Sequence, residues 1–284
     1  MLQLDANGPF DRAGAASLLR NHALPGIDRV ADDGRRLERL LTVDGGLHPV
    51  AIQLTETGVR VETASQVAPA VAALVRAWFD LDSDLIAIGA ELSRDPLLAP
   101  LVASRPGLRA TQYPEPFEAA VMAVLGQQVS VAAARTFGGR TVAAFGADGP
   151  DDQDGRGLRT FPTPEALLTG EIEALRSAIG VTNARARAVR AVAAAFAAGL
   201  VLDRDGDLPE QRRLLLAIPG IGPWTADYLA LRVLGDPDAF PAGDLVLRRA
   251  LGGIGTAGAE TASQAWRPHR AHAAFQLWAS TGAM

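Results

Sequence analysis

The chain has no cysteine, which excludes disulfides, thiolate catalysis, cysteine-ligated zinc and iron–sulfur clusters. It has no lysine either: all 27 residues counted as Lys plus Arg are arginines. Chemistry that needs an ε-amine, Schiff-base formation above all, has no side chain to use. Four histidines, of which only His269 and His272 are neighbours, argue against a metalloprotease-type site. Charges interrupt every apolar stretch before it reaches membrane-spanning length. The opening MLQLDANGPFDR lacks the basic start and apolar core of a secretion signal, so a soluble cytoplasmic protein is expected. Positive charge is also in deficit, with a formal net charge of −5. A protein that gripped nucleic acid by bulk charge would not have this balance, so any such binding must be local.

What is present reads as α+β. The 284 residues suffice for one large domain or two to three small ones. A helix is predicted over Asp11–His22. Three segments then alternate, Arg36–Val43, Pro49–Leu54 and Gly58–Glu62; Val50, Ile52 and Leu54 share one face, as do Val59 and Val61. Asp44-Gly45-Gly46 and Glu56-Thr57-Gly58 are turn-like, so the segments predict a small antiparallel sheet. Helices predicted over Ala68–Asp80 and Asp84–Ser93 complete an N-terminal α+β domain, residues 1–90. Residues 91–284 predict an all-α region. Its helices fall over Pro116–Phe137, from Thr163-Pro164-Glu165 onward, and over Glu171–Ile179, Asn183–Ala198, Pro209–Ala217, Trp224–Leu234, Leu245–Leu251 and Pro268–Ser280. Gly146–Thr160, rich in Gly and Asp, predicts a mobile surface loop.

The most informative string is LLLAIPGIGPWTADYLALRVL, from Leu214 to Leu234. Two amphipathic helices flank Pro219-Gly220-Ile221-Gly222. Pro219 stops the first helix, and the two glycines permit positive φ and leave amides uncovered by side chains. Those amides open the next helix, whose dipole favours an anion such as phosphate. The competing reading is a plain helical corner with glycines for tight packing. The restrictive context, Leu-x-x-Ile before and Thr225-Ala226 after, favours a DNA-binding hairpin, with Gly220, Ile221, Gly222 and Thr225 on the DNA backbone.

This string resembles the helix–hairpin–helix DNA glycosylase superfamily. That family places a Gly/Pro-rich loop and an aspartate about twenty residues beyond the hairpin, and here Phe240-Pro241-Ala242-Gly243-Asp244 occupies that place. Further segments are similar to the alkylpurine branch, bacterial 3-methyladenine DNA glycosylase II. They are Arg105-Pro106-Gly107-Leu108-Arg109, Phe117-Glu118-Ala119-Ala120-Val121, Leu125-Gly126-Gln127-Gln128-Val129-Ser130, Phe161-Pro162-Thr163-Pro164, Trp266-Arg267-Pro268-His269-Arg270 and Gln276-Leu277-Trp278. The resemblance runs collinearly from about residue 10 to the C-terminus. It implies a glycosylase region of two helical halves, 117–236 with the hairpin and 91–116 plus 237–284, with a cleft between them.

On local sequence alone Asp244 is a helix N-cap. The resemblance makes it the catalytic residue, and the two roles are compatible, because a helix N-terminus stabilises an ionised carboxylate. Cleavage of an N-glycosidic bond builds positive charge on the sugar, which a fixed anion stabilises. Whether Asp244 also activates water stays open. Asp227, Asp236 and Asp238 compete by proximity and are assigned surface roles. Bifunctional family members carry a Schiff-base lysine after the hairpin; here that region reads Pro223-Trp224-Thr225, which predicts a hydrolase without lyase activity.

By the same resemblance Trp224, Tyr228 and Trp278 line a pocket for an extruded base, with Trp278 as the stacking platform; core packing is the alternative. Trp224 and Tyr228, four residues apart, share one helix face. Gln128 falls on the family's DNA wedge, or is merely solvent-facing. Leu245 and Leu18 stand where aromatics are expected, which leaves the range among 3-methyladenine, 7-methylguanine and deaminated purines open. The resemblance further implies that the main-chain carbonyls of Leu216, Ile218 and Ile221 hold a structural Na⁺ or K⁺, which oxygen-only ligation suits. The expected partner is damaged double-stranded DNA, bound by a monomer with no cofactor in the chemistry and no membrane association. The alternatives are a non-catalytic DNA-binding module and a glycosylase for oxidised or deaminated bases.

Overall fold

The computed structural model describes residues 1–149 and 157–282. Residues 150–156 of the predicted Gly/Asp-rich loop, Gly146–Thr160, therefore lie outside the described residues. What flanks them is joined by a single antiparallel bridge, Asp148 to Arg159.

The N-terminal part is a five-stranded antiparallel sheet: β1 (Leu2–Asp5), β2 (Arg29–Val30), β3 (Arg36–Val43), β4 (Gly46–Leu54) and β5 (Gly58–Glu62), in spatial order β1-β5-β4-β3-β2. Period-two patterning sets the register: Leu37 faces Ile52, and Ile52 faces Val61, so apolar side chains stack on one face. Asp44 and Gly45 both take positive φ between β3 and β4, as a tight two-residue hairpin requires. The inner face packs on α1 (Arg12–His22) and α2 (Ala68–Trp78), through Ala15, Ala16, Leu19, Val71 and Val75. The edge strands β1 and β2 escape sequence prediction because four and two residues are too few to show a period.

The inner face carries one charge. Arg39 on β3 is buried, pairing with Glu118 at 2.6 Å and Asp28 at 3.3 Å. This cluster joins the sheet to the helical region that follows.

That region comprises α3 (Leu85–Leu92), α4 (Ala99–Ser104), α5 (Pro116–Leu125), α6 (Val131–Phe145), α7 (Pro164–Leu168), α8 (Ile172–Ile179), α9 (Asn183–Ala197), α10 (Leu208–Leu216), α11 (Pro223–Leu229), α12 (Leu245–Ala250), α13 (Thr256–Ser263) and α14 (Arg270–Ser280). Its core centres on α5, buried on nearly every side, against α9 and α11. Among the described residues no helix is long and apolar enough to cross a membrane.

Two predicted helices need correction. The run Pro116–Phe137 is broken: α5 stops at Leu125, Gln128 takes φ +57°, and Ser130 caps α6 by accepting the Ala133 N–H. Local capping chemistry overrides the continuous apolar period there. The run Trp224–Leu234 passes from α11 into a π-helical turn at Ala230–Leu234. Helices α4 and α13 were not predicted. Helix α1 belongs to both parts: its apolar face enters the sheet core, while Leu18 and His22, one turn apart, face the helical region.

Candidate active site

Helix α10 is capped by Asp207, which accepts the Glu210 N–H at 2.9 Å, and it ends at the hairpin. Ile218 and Ile221 are buried and pin the turn to the core, and the Ile221 N–H closes it by donating to the Ile218 carbonyl at 3.0 Å. Gly220 has φ +94°, and a Cβ there would lie 2.4 Å from the Ala188 Cβ on α9. Only glycine fits. Gly222 faces open space. Among the described residues neither the Gly220 nor the Gly222 N–H has a protein acceptor. These two amides remain available to an anion.

Two residues assigned to the DNA backbone from sequence are engaged within the protein. The Ile221 N–H is spent inside the turn. Thr225 is 2% exposed, and its hydroxyl accepts from Gln127 Nε2 at 3.0 Å. The first turn of α11 points it inward beside Ala226, an orientation that local sequence does not reveal. Gln127, not singled out from sequence, also donates to the Gly220 carbonyl at 2.9 Å, and Arg185 of α9 donates to the Gln127 carbonyl. The α5–α6 turn and the hairpin are thus clamped together. The clamp presents Gln128, exposed and without a hydrogen bond among the described residues, at the tip of that turn.

The carbonyls of Leu216 and Ile221 accept no backbone hydrogen bond among the described residues, and that of Ile218 accepts one. Three main-chain oxygens with spare lone pairs on one turn form a donor set that suits a hard monovalent cation.

Asp244 does cap α12: its Oδ1 accepts the Val246 and Leu247 N–H groups at 2.9 Å each. The structure adds what sequence did not reveal. Trp224 Nε1 donates to Oδ2 at 3.0 Å, and Trp278 Nε1 donates to Oδ1 at 3.2 Å. Four N–H donors converge on one carboxylate. Every partner donates, which is the environment of an anion held in a fixed orientation. The three other aspartates are engaged elsewhere: Asp227 with Arg212, Asp238 with Arg267 and Arg270, and Asp236 in capping the Asp238 N–H.

Asp244 stands on a cavity of about 210 Å³. Its aromatic wall is Trp224 stacked on Tyr228, with ring centroids 5.4 Å apart, and Trp278 edge-on to Tyr228 at 6.3 Å. Trp278 is 8% exposed and lines the space. Leu18 and His22 of α1, Met122 of α5, and Gly126, Val129, Ser130, Val131, Ala134 and Arg135 also line it. The cavity thus draws on the sheet-bearing part as well as on both sides of the hairpin. Leu245, next to Asp244, is 53% exposed.

Sequence reasoning missed two residues of the cavity floor. One is His22, four positions after Leu18. The other is Arg232, four after Tyr228 and eight after Trp224; the helical spacing was there to read. Burial, reinforced by the charges of Arg232 and Arg135, pushes the His22 imidazole down to about 3, so it is neutral at physiological pH.

Comparisons with known proteins agree with this architecture. Residues 1–113 match the family model described as AlkA N-terminal domain, and residues 121–268 match that of the HhH-GPD superfamily base excision DNA repair protein. A Mycobacterium tuberculosis protein named probable bifunctional transcriptional activator/DNA repair enzyme AlkA is 39% identical over 98% of this chain and 56% of the relative, so the chain spans about half of that relative's length. DNA-3-methyladenine glycosylase 2 of Escherichia coli is 28% identical over 99% of this chain and 98% of its own. The solved structure of a 3-methyladenine DNA glycosylase from Archaeoglobus fulgidus superposes with a TM-score of 0.84 at 23% identity, over 98% of this chain and 97% of that one; the fold is shared.

Proposed function

The chain belongs to the HhH-GPD superfamily of base excision DNA repair proteins, and on that premise we propose that it is a monofunctional DNA N-glycosylase that excises alkylated purines, 3-methyladenine among them. The observation that carries this reading is the Asp244 carboxylate, fixed by Trp224, Trp278 and two amides at the edge of an aromatic cavity.

Duplex DNA hides its glycosidic bonds, so the target nucleotide must be extruded into the cavity. Alkylation at N3 or N7 makes a purine cationic, and a cationic base is attracted to electron-rich ring faces such as those of Trp224, Tyr228 and Trp278. As the C1′–N bond breaks, its electron pair leaves with the base and neutralises it, while the sugar becomes oxocarbenium-like. Asp244 stabilises that charge. Water then bonds to C1′ and gives up a proton, which leaves an abasic site. Gly220 and Gly222 offer their amides to a backbone phosphate, and Gln128 fills the gap in the stack. Leu216, Ile218 and Ile221 would hold a monovalent cation, whose positive charge would tie the hairpin to the phosphate. One cleft serves one bent duplex, so the protein works as a monomer.

The test is release of free 3-methyladenine from methylated duplex DNA by the purified protein. Binding without release would instead make this a hairpin module that only grips DNA. Lack of lyase activity follows from the lack of lysine. Borohydride treatment during turnover is expected to trap no covalent protein–DNA adduct; a trapped adduct would overturn the monofunctional reading.

Gly220→Ala tests the hairpin. The left-handed backbone costs an L-residue roughly 1–2 kcal/mol, and the added methyl meets Ala188. Expected outcomes are a lower melting temperature and a weakened grip on undamaged duplex, measured by fluorescence anisotropy. Unaltered duplex affinity would remove Gly220 from the interface.

A further inference from the structure

Three arginines are buried among the described residues, and two of them have oxygen partners, although the Arg109 Nε has none. Arg39 has Glu118 and Asp28. Arg109 donates to the backbone carbonyls of Asn7, Pro9, Asp80 and Ser83. Arg232 is the exception. It is 5% exposed, yet its side chain has no carboxylate and no hydrogen-bond acceptor among the described residues, and its Nε is buried without a partner. Three aromatic faces hold it instead: Tyr113 at 4.8 Å, Phe275 at 5.4 Å and Tyr228 at 5.9 Å from the guanidinium carbon to the ring centroid. Rings fix its position and favour its charge, but they leave its N–H donors unspent. A buried donor without an acceptor is costly, and in a cavity wall it is a demand for a ligand that brings one.

Arg232 lies where such a ligand would arrive. It lines the 210 Å³ cavity and also a chamber of about 40 Å³ behind it, and His22 and Tyr113 line both spaces. The floor of the cavity, away from Asp244, is therefore a guanidinium and an imidazole. His22 also has no hydrogen bond among the described residues, and it is neutral for the reasons given above. Of the other polar groups of the cavity, Ser130 accepts from Ala133, Arg135 donates to the Ala23 carbonyl, and Asp244 accepts from four donors.

We infer that Arg232, with His22 beside it, reads the far edge of the extruded base and raises the release of purines that carry a carbonyl at C6 relative to 3-methyladenine, which the cavity still admits. This deepens the glycosylase reading and rests on it. A guanidinium only donates, so it accepts the O6 of a guanine-type or deaminated base as a partner; the exocyclic amine of an adenine-type base turns its own N–H groups toward it. A neutral imidazole has one N–H, which can donate to the same carbonyl. A buried site built to hydrogen-bond a group discriminates against ligands that lack it, because its own polar atoms are then left unpaired. Arg232 and His22 are thus specificity residues at the opposite end of the base from the bond that breaks.

Methylated duplex DNA contains both 7-methylguanine and 3-methyladenine. Both are cations, so the ratio of their release rates separates the carbonyl from the charge. Arg232→Met keeps the aliphatic stem among the three rings and removes every donor. The 7-methylguanine to 3-methyladenine ratio is expected to fall about tenfold, the worth of one hydrogen bond to a charged group. His22→Ala is the second variant. Its side chain is half-buried with no hydrogen bond to lose, and it is expected to lower the same ratio about threefold even if Arg232→Met does not fold. A merely structural role would slow both releases in proportion. An unchanged ratio in the folded variants overturns this inference alone. A wild-type protein that releases neither base overturns the glycosylase reading, and this inference with it.

Discussion

Asp244→Asn is expected to lose turnover on methylated DNA by about 10²–10³-fold, the size of effect seen when one preorganised electrostatic partner is removed. The substitution removes a charge and little else. Asparagine is as good a helix cap as aspartate, and its carbonyl can still accept the Val246 and Leu247 N–H groups. What it cannot do is satisfy both indoles. With the carbonyl on the side of Val246, Leu247 and Trp278, its NH₂ faces the Trp224 N–H, donor against donor. The sugar then develops positive charge beside a neutral amide. Duplex affinity should survive, because the hairpin amides of Gly220 and Gly222 lie on another element. The decisive measurement pairs single-turnover base release with fluorescence anisotropy on the same preparation. Release at the wild-type rate would remove Asp244 from the chemistry, and loss of both properties together would mean that the cap was holding the fold.

The second large effect lies away from the cavity, in the buried cluster that joins β3 to α5. Removing one partner of a buried ion pair costs about 3–5 kcal/mol, because the charge left behind has no water. Arg39→Met is expected to destabilise by that amount, read from denaturant unfolding. It would leave Glu118 and Asp28 facing each other without a cation. The consequence should reach activity as well, since α1 and α5 line the cavity through Leu18, His22 and Met122. A variant as stable as the wild type would show that the cluster contributes nothing net.

The same cluster carries a pH signature. Burial raises the Glu118 carboxyl to about 7 against the pull of Arg39, and the second carboxylate, Asp28, pushes the same way. Two buried carboxylates share one guanidinium, so the site is one positive charge short. The folded protein then keeps a proton that the unfolded chain releases between about pH 4.5 and 7. Stability from this group is present below that window and declines as pH rises through it. His22 contributes the opposite slope: its pKa is lowered on folding, so stability is lost as pH falls below the ordinary histidine range. Comparing wild type with Glu118→Gln isolates the first effect. The stability difference should move in favour of the glutamine variant from pH 5 to pH 7.5, and a difference independent of pH would contradict the assignment.

The parts of this protein that the sequence alone made readable are local. The β3–β4 hairpin follows from alternation around Asp44-Gly45, the turn between α10 and α11 from glycines at 220 and 222, and the cap at Asp244 from its place before an apolar helical run. The want of lysine set the expectation of a hydrolase without lyase activity before any fold was known. Each of these is decided within a few residues, or by composition, so periodicity and backbone sterics suffice.

The rest required the tertiary structure. Trp224 and Trp278 meet one carboxylate from 20 and 34 positions away. Thr225 turns inward, Gln127 rather than its neighbour clamps the hairpin, Arg39 sits on the inner face of a sheet, and a histidine from α1 reaches the floor of a cavity built mostly by later helices. A pattern of burial says which face of an element points inward, but it does not say which distant side chain waits there. Convergence across the chain is a property of packing, and in this protein it is packing that turns a helix cap into a carboxylate held by two indoles.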